Sequence, residues 1–130
     1  MRRRILIAFL LDTWVWIDYW NEAGSRAKEY IESDNDLVIS MITLDEVSQR
    51  FAPQGKTMVD ARVNEMLNYC TLIPISREIA TLAGMLRHNE IQGGIADAII
   101  LATAKLGKHT IVTGDLHFKN LPDVVFLGSG

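Results

Sequence analysis

The chain has 130 residues, 48% hydrophobic and 22% charged, with a net charge of −3 and a sequence pI of about 5.5. That is ordinary globular composition and suits one compact domain spanning residues 1–130. The first apolar run, residues 5–11, is too short to cross a bilayer and about right for a buried strand, so no membrane role is expected. Arg2, Arg3 and Arg4 before this run faintly resemble the start of a signal peptide, but no small-residue cleavage site follows and Asp12 ends the run. The single Cys70 excludes an internal disulfide and a cysteine zinc site, which points to a reducing, cytoplasmic setting with Cys70 as a small buried hydrophobe. The acidic balance weighs against a general nucleic-acid binder, although the whole-chain sum misleads if several carboxylates surround bound cations. Basic residues cluster locally at Arg2–Arg4 and at Lys105, Lys108 and His109, a pattern equally expected of a solvated face.

In chain order, residues 5–11 read as strand one and 13–20 as a short helix, followed by a second helix near 25–33. Residues 37–40 read as strand two, and 43–51 as a helix entered at Thr43. The segment Ala52-Pro53-Gln54-Gly55 is a break before a longer helix over 56–69. Strand three follows at 71–75, then an amphipathic helix over 76–88 with Ile79, Leu82, Ala83 and Leu86 on one face. Gln92-Gly93-Gly94 reads as a loop, 96–106 as a helix stopped by Gly107, 110–113 as strand four and 124–127 as strand five. Strands separated by helices imply a three-layer α/β/α sandwich around a mainly parallel sheet of four to five strands. No repeat, low-complexity tract or linker interrupts it. The helix at 96–106 has almost no polar face, so it is expected to be buried on most sides, with Asp97 at the mouth of a cleft.

Four acids stand at chemically informative places. Asp12 closes strand one, Glu46 follows strand two, Asp97 opens the apolar helix and Asp115 follows strand four. In an alternating strand–helix protein these places converge at one edge of the sheet. Two unit charges about 4 Å apart repel by roughly 4 kcal/mol at an effective dielectric near 20. A helix N-terminus returns only about 0.3–1 kcal/mol, so a hard divalent cation is the simple way to hold the cluster together. Each acid also has an ordinary reading. Asp12, Asp97 and Asp115 suit helix or turn caps, and Thr43 with Glu46 fits a capping box. Four separate caps do not explain a shared sheet edge, and a capped carboxylate remains able to bind metal.

The segments Leu10-Leu11-Asp12-Thr13, Ser40-Met41-Ile42-Thr43-Leu44-Asp45-Glu46-Val47, the run from Ala96 to Ala104, and Thr113-Gly114-Asp115-Leu116-His117-Phe118 carry a resemblance. Their order, spacing and total length resemble the PIN-domain ribonucleases, specifically the VapC-type toxins of VapBC toxin–antitoxin pairs. The resemblance spans nearly the whole chain, with no signature between about residues 52 and 89. It implies that Asp12, Glu46, Asp97 and Asp115 are the acidic metal-site residues and Thr113 the adjacent hydroxyl residue. A further acid sometimes present in the family a few residues later is not evident, since Lys119 and Asn120 follow Phe118 and the next acid, Asp123, stands further on.

The expected chemistry is Mg²⁺-dependent hydrolysis of RNA, with Mn²⁺ substituting, by in-line attack of a metal-activated water. Asp12 and Asp97 are the expected direct ligands and Asp115 a direct or water-mediated one. Glu46 is expected to bind a second ion or orient the water, and Thr113 to hold a carboxylate or water by hydrogen bonding. The resemblance further implies endonucleolytic cleavage of a structured RNA such as transfer RNA, a homodimer, and inhibition by an antitoxin protein. Alternatives are a non-catalytic PIN module that binds RNA or a protein partner, and a structure-specific DNA nuclease. A haloacid-type phosphatase lacks its second Asp, no phosphate loop is present, and the three histidines are not spaced for zinc. His117 reads as a surface turn residue, with a substrate contact as the alternative, and Trp14, Trp16, Tyr19 and Trp20 as core packing with some rings available to an interface.

Overall fold

The computed structural model describes residues 8–21, 25–89, 91 and 93–128. Five strands form one sheet: β1 (Ala8–Leu11), β2 (Asp36–Ser40), β3 (Thr71–Ile73), β4 (Thr110–Thr113) and β5 (Val124–Phe126). Their order is β3-β2-β1-β4-β5, and every neighbouring pair is parallel. The helices are α1 (Thr13–Trp20), α2 (Lys28–Ile31), α3 (Met41–Phe51), α4 (Lys56–Tyr69), α5 (Arg77–Asn89) and α6 (Ile95–Gly107). The first three strands step outward in one direction. The chain then returns through α5 and α6 and places β4 on the other side of β1. The order therefore reverses between β1 and β4, and open α/β sheets bind ligands beyond the strand ends at such a reversal.

The two faces of the sheet carry separate cores because side chains alternate along each strand. Leu10, Val38 and Ile111 join α5, α6 and Phe118 on one face. Phe9, Leu11, Leu37, Ile39 and Val112 join α1, α2, Val47 of α3 and Met66 of α4 on the other. This is the expected α/β/α sandwich. Every residue of α6 from Ala98 to Ala104 is buried, as its lack of a polar face requires. Each large apolar side chain so buried contributes roughly 1.5–3 kcal/mol. Cys70 is buried in the second core, where burial pushes its thiol up to about 12, as suits a packing role. No helix among the described residues is long and apolar enough to cross a membrane.

Several boundaries differ from the sequence reading for identifiable reasons. Residues 5–7 of the expected first strand, the Arg2–Arg4 cluster and Gln92 of the expected loop lie outside the described residues. The helix expected near 25–33 contracts to Lys28–Ile31, since Ser25 and Ala27 instead bind the carboxylate of Asp18. Helix α3 begins at Met41, two residues before Thr43, because the Ser40 hydroxyl accepts from the Ile42 N–H at 3.2 Å. Thr43 is then fully buried inside the first turn and Glu46 is no part of a capping box. Gly107 remains helical, and the left-handed stop residue is Lys108 with φ of 55°.

Among the aromatic residues of α1, Trp16 is fully buried and contacts the rings of Trp20 and Tyr19 at 5.7 and 6.1 Å. Trp20 is only partly buried, and the Arg62 guanidinium lies over its ring at 4.7 Å and over Phe51 at 5.1 Å.

Loss of the Ser40 hydroxyl leaves the Ile42 N–H without its cap. Ser40→Ala is therefore expected to lower stability by about 0.5–2 kcal/mol in urea unfolding. A change near zero would mean that Ser40 does not cap this helix.

Candidate metal centre

The five residues singled out in the sequence come together at the carboxyl edge of the sheet, on either side of the β1/β4 reversal. Asp12 lies one residue past β1 and Asp115 two past β4, while Glu46 and Asp97 come from the early turns of α3 and α6. They are joined by short polar contacts. Asp12 caps α1 by accepting from the Thr13 N–H at 2.7 Å, and its other oxygen accepts from the Thr113 hydroxyl at 2.6 Å. The Thr113 oxygen in turn accepts from the Asp115 N–H at 2.9 Å. Thr113 thus links two of the acids and is itself fully buried. Glu46 accepts from the Thr13 hydroxyl at 2.6 Å, which ties it to the same corner. Asp115 accepts from the His117 N–H at 2.9 Å and so caps the short 3₁₀ turn Leu116–Phe118.

Two glycines shape this edge. A Cβ on Gly93 would collide with the carboxylate of Asp97, and one on Gly114 would collide with the indole of Trp14. Glycine therefore lets the loop before α6 pass close to Asp97, and lets the link between Thr113 and Asp115 run against the first helix.

Two residues of this corner have roles the sequence does not assign. Thr13 stands in the first motif and starts a helix, and its hydroxyl holds Glu46. His117 has the half-exposed side chain expected of a turn residue, 50% accessible. Its Nδ1, however, lies 2.7 Å from Asp97 Oδ2 and 3.2 Å from Asp115 Oδ1. The available signal was its place two residues after Asp115, in a turn tight enough to fold the ring back over the acids. The basic group Lys105, Lys108 and His109 belongs elsewhere. It lines a cavity of about 460 Å³ at the amino end of β4, the opposite edge of the sheet.

The electrostatics are those of a site short of positive charge. Burial pushes the Asp12 carboxyl up to about 7, and the charges of Glu46 and Asp97 add to this against the hydrogen bonds from Thr113 and Thr13. Burial also raises Asp97, with the charge of Asp115 next in effect and the His117 hydrogen bond opposing both. His117 is raised in turn, chiefly by its hydrogen bond to Asp97. The donor set fits a divalent cation. Asp97, Asp115 and His117 can each offer a ligand atom within 4.8 Å of the others; Asp12 and Glu46 stand outside that set, with the charge of Glu46 acting on both Asp12 and Asp97 and that of Asp97 on Asp12. Several carboxylates with little protein charge to balance them suit Mg²⁺ or Mn²⁺.

Between the ordinary carboxylate value, about 3.9, and the Asp12 value of about 7, the folded protein keeps a proton that the unfolded chain has released. Stability contributed by that proton is lost as pH rises through this window. In chelator, the stability of wild type relative to Asp12→Asn is therefore expected to fall by a few kcal/mol, on the order set by the linkage relation, from about pH 4 to 7. Parallel stability–pH curves in chemical denaturation would contradict the buried, proton-holding Asp12.

The PIN domain family model matches residues 9–124. No curated protein matches the chain. Among solved structures, a toxin–antitoxin complex from Klebsiella pneumoniae is 32% identical with a TM-score of 0.74, covering 89% of this chain and 94% of that one. VapBC2 from Rickettsia felis, bound to a promoter DNA fragment, is 21% identical with a TM-score of 0.76, covering 95% and 100%. VapC20 from Mycobacterium tuberculosis, described as a toxin that cleaves the sarcin–ricin loop, is 18% identical with a TM-score of 0.71, covering 88% and 95%. With the family match running from β1 to the start of β5 and toxin–antitoxin proteins as structural neighbours, the chain belongs to the PIN-domain family.

Proposed function

We propose that this PIN domain is a Mg²⁺- or Mn²⁺-dependent endoribonuclease and the toxin of a toxin–antitoxin pair. The observation that carries this reading is the meeting of Asp12, Glu46, Asp97 and Asp115 at one sheet edge, tied together through Thr13, Thr113 and His117. The similarity to toxin–antitoxin structures, one at 32% identity, supports the biological setting. A bound divalent cation would supply charge neutralisation at the scissile phosphate and acidify water for attack.

The chain's own residues prepare that chemistry. Asp12 and Asp97 are the direct ligands, and Thr113 fixes the orientation of Asp12 through a hydrogen bond. Asp115 completes the site, directly or through water. Thr13 engages one oxygen of Glu46, and Glu46 orients the attacking water or holds a second ion. Preorganisation of this kind removes the need to gather four repelling groups during the reaction. In this reading an antitoxin protein silences the site, a basic side chain being the natural inhibitor of an acidic groove. A homodimer and a cytoplasmic location complete the proposal, the latter supported by the free, buried Cys70.

The direct test is RNA cleavage by wild type and Asp97→Asn in Mn²⁺, in Mg²⁺ and in chelator, with single-stranded DNA alongside. Wild type is expected to cleave RNA only with metal, and Asp97→Asn to lose at least about 100-fold. In chelator the variant should be no less stable than wild type, since the substitution removes like-charge repulsion. Equal cleavage by both proteins would remove Asp97 from the mechanism, and preferential cleavage of DNA would replace the substrate class.

A further inference from the structure

We propose that His117 is itself a ligand of the divalent cation, through Nδ1, and that this nitrogen makes the site favour Mn²⁺ over Mg²⁺. The inference rests on the metal-site reading above and deepens it. The Nδ1 atom lies between carboxylate oxygens of two different residues, 2.7 Å from Asp97 and 3.2 Å from Asp115. A cation shared by those two acids would therefore have this nitrogen within reach as a third donor, with the imidazole exchanging its hydrogen bond to Asp97 for the metal. All three ligand atoms lie within 4.8 Å of one another, the spacing of groups around a single ion.

The ring is held there by the fold. The His117 N–H donates to Asp115 at 2.9 Å, which fixes the turn from the side of β4. The next residue, Phe118, is fully buried in the core beneath α6, which fixes it from the other side. His117 is thus placed by two anchors while its side chain stays half exposed and able to adjust by a small rotation.

Donor chemistry gives the consequence. Mg²⁺ is a hard ion that prefers oxygen and keeps much of its water, whereas imidazole nitrogen is a better donor for transition metals. An all-carboxylate site discriminates weakly between Mg²⁺ and Mn²⁺, and one imidazole tilts the preference toward Mn²⁺.

The test is Mn²⁺ binding followed by electron paramagnetic resonance, with pulsed spectra to detect bound nitrogen, on wild type, histidine-¹⁵N-labelled wild type, His117→Ala and His117→Gln. Wild type should show the coupling of a directly bound imidazole. That coupling should change with histidine labelling and disappear in both variants. Mn²⁺ affinity should fall at least about 10-fold in His117→Ala. Mg²⁺ affinity, read by competition, should change much less. Mn²⁺ bound without nitrogen coupling, or with unchanged affinity in both variants, would overturn the assignment while leaving the carboxylate site standing. Failure of wild type to bind Mn²⁺ would overturn both.

Discussion

Like charge is the constraint on which this structure turns. The fold gathers four carboxylates from remote points in the chain at one sheet edge, and the protein supplies little to neutralise them. Asp12 is the pivot: it is 5% exposed, it caps α1 with one oxygen, and it accepts from buried Thr113 with the other. Those two bonds stabilise a carboxylate that burial would otherwise expel, yet they do not remove the cost, and Asp12 is left prone to hold a proton. A site with this arrangement is short of positive charge, and a divalent cation is the species we propose to complete it.

The rest of the architecture supports that edge. The two cores lie on opposite faces of the sheet and leave its ends free. Strand β1, at the centre, pairs with β2 and β4, so the residues that follow β1 and β4 are neighbours. The almost wholly buried α6 brings Asp97 to the same edge at its N-terminal turn. Apolar packing thereby sets the spacing, and hydrogen bonds through Thr13 and Thr113 set the orientation. The acids converge at one edge, and the basic group of Lys105, Lys108 and His109 collects at the other.

Much of this could be read from the sequence because it depends on local pattern. Apolar runs gave the strands, the nearly nonpolar segment around residues 98–104 gave the buried helix, and the four acids stood where strand ends and helix starts were expected. What could not be read depends on which of several polar groups wins a contact. Ser40 and Thr43 are both competent caps, and only the end of β2 selects Ser40. Gly107 is a natural helix stop, but the turn closes one residue later, where His109 N–H bonds Ala104. His117 looked like a solvated turn residue because nothing in one dimension shows that a 3₁₀ turn folds its ring back toward an acid twenty positions earlier. Thr13 was hidden for the same reason, since its partner Glu46 lies on another helix.

Crystals of the protein equilibrated with Mn²⁺ and measured for anomalous scattering should show a peak at the carboxyl edge, within bonding distance of Asp12 and Asp97 and beside Asp115. Crystals that bind Mn²⁺ only elsewhere, or show these carboxylates with no ion between them at saturating metal, would mean that the acids do not form a metal centre.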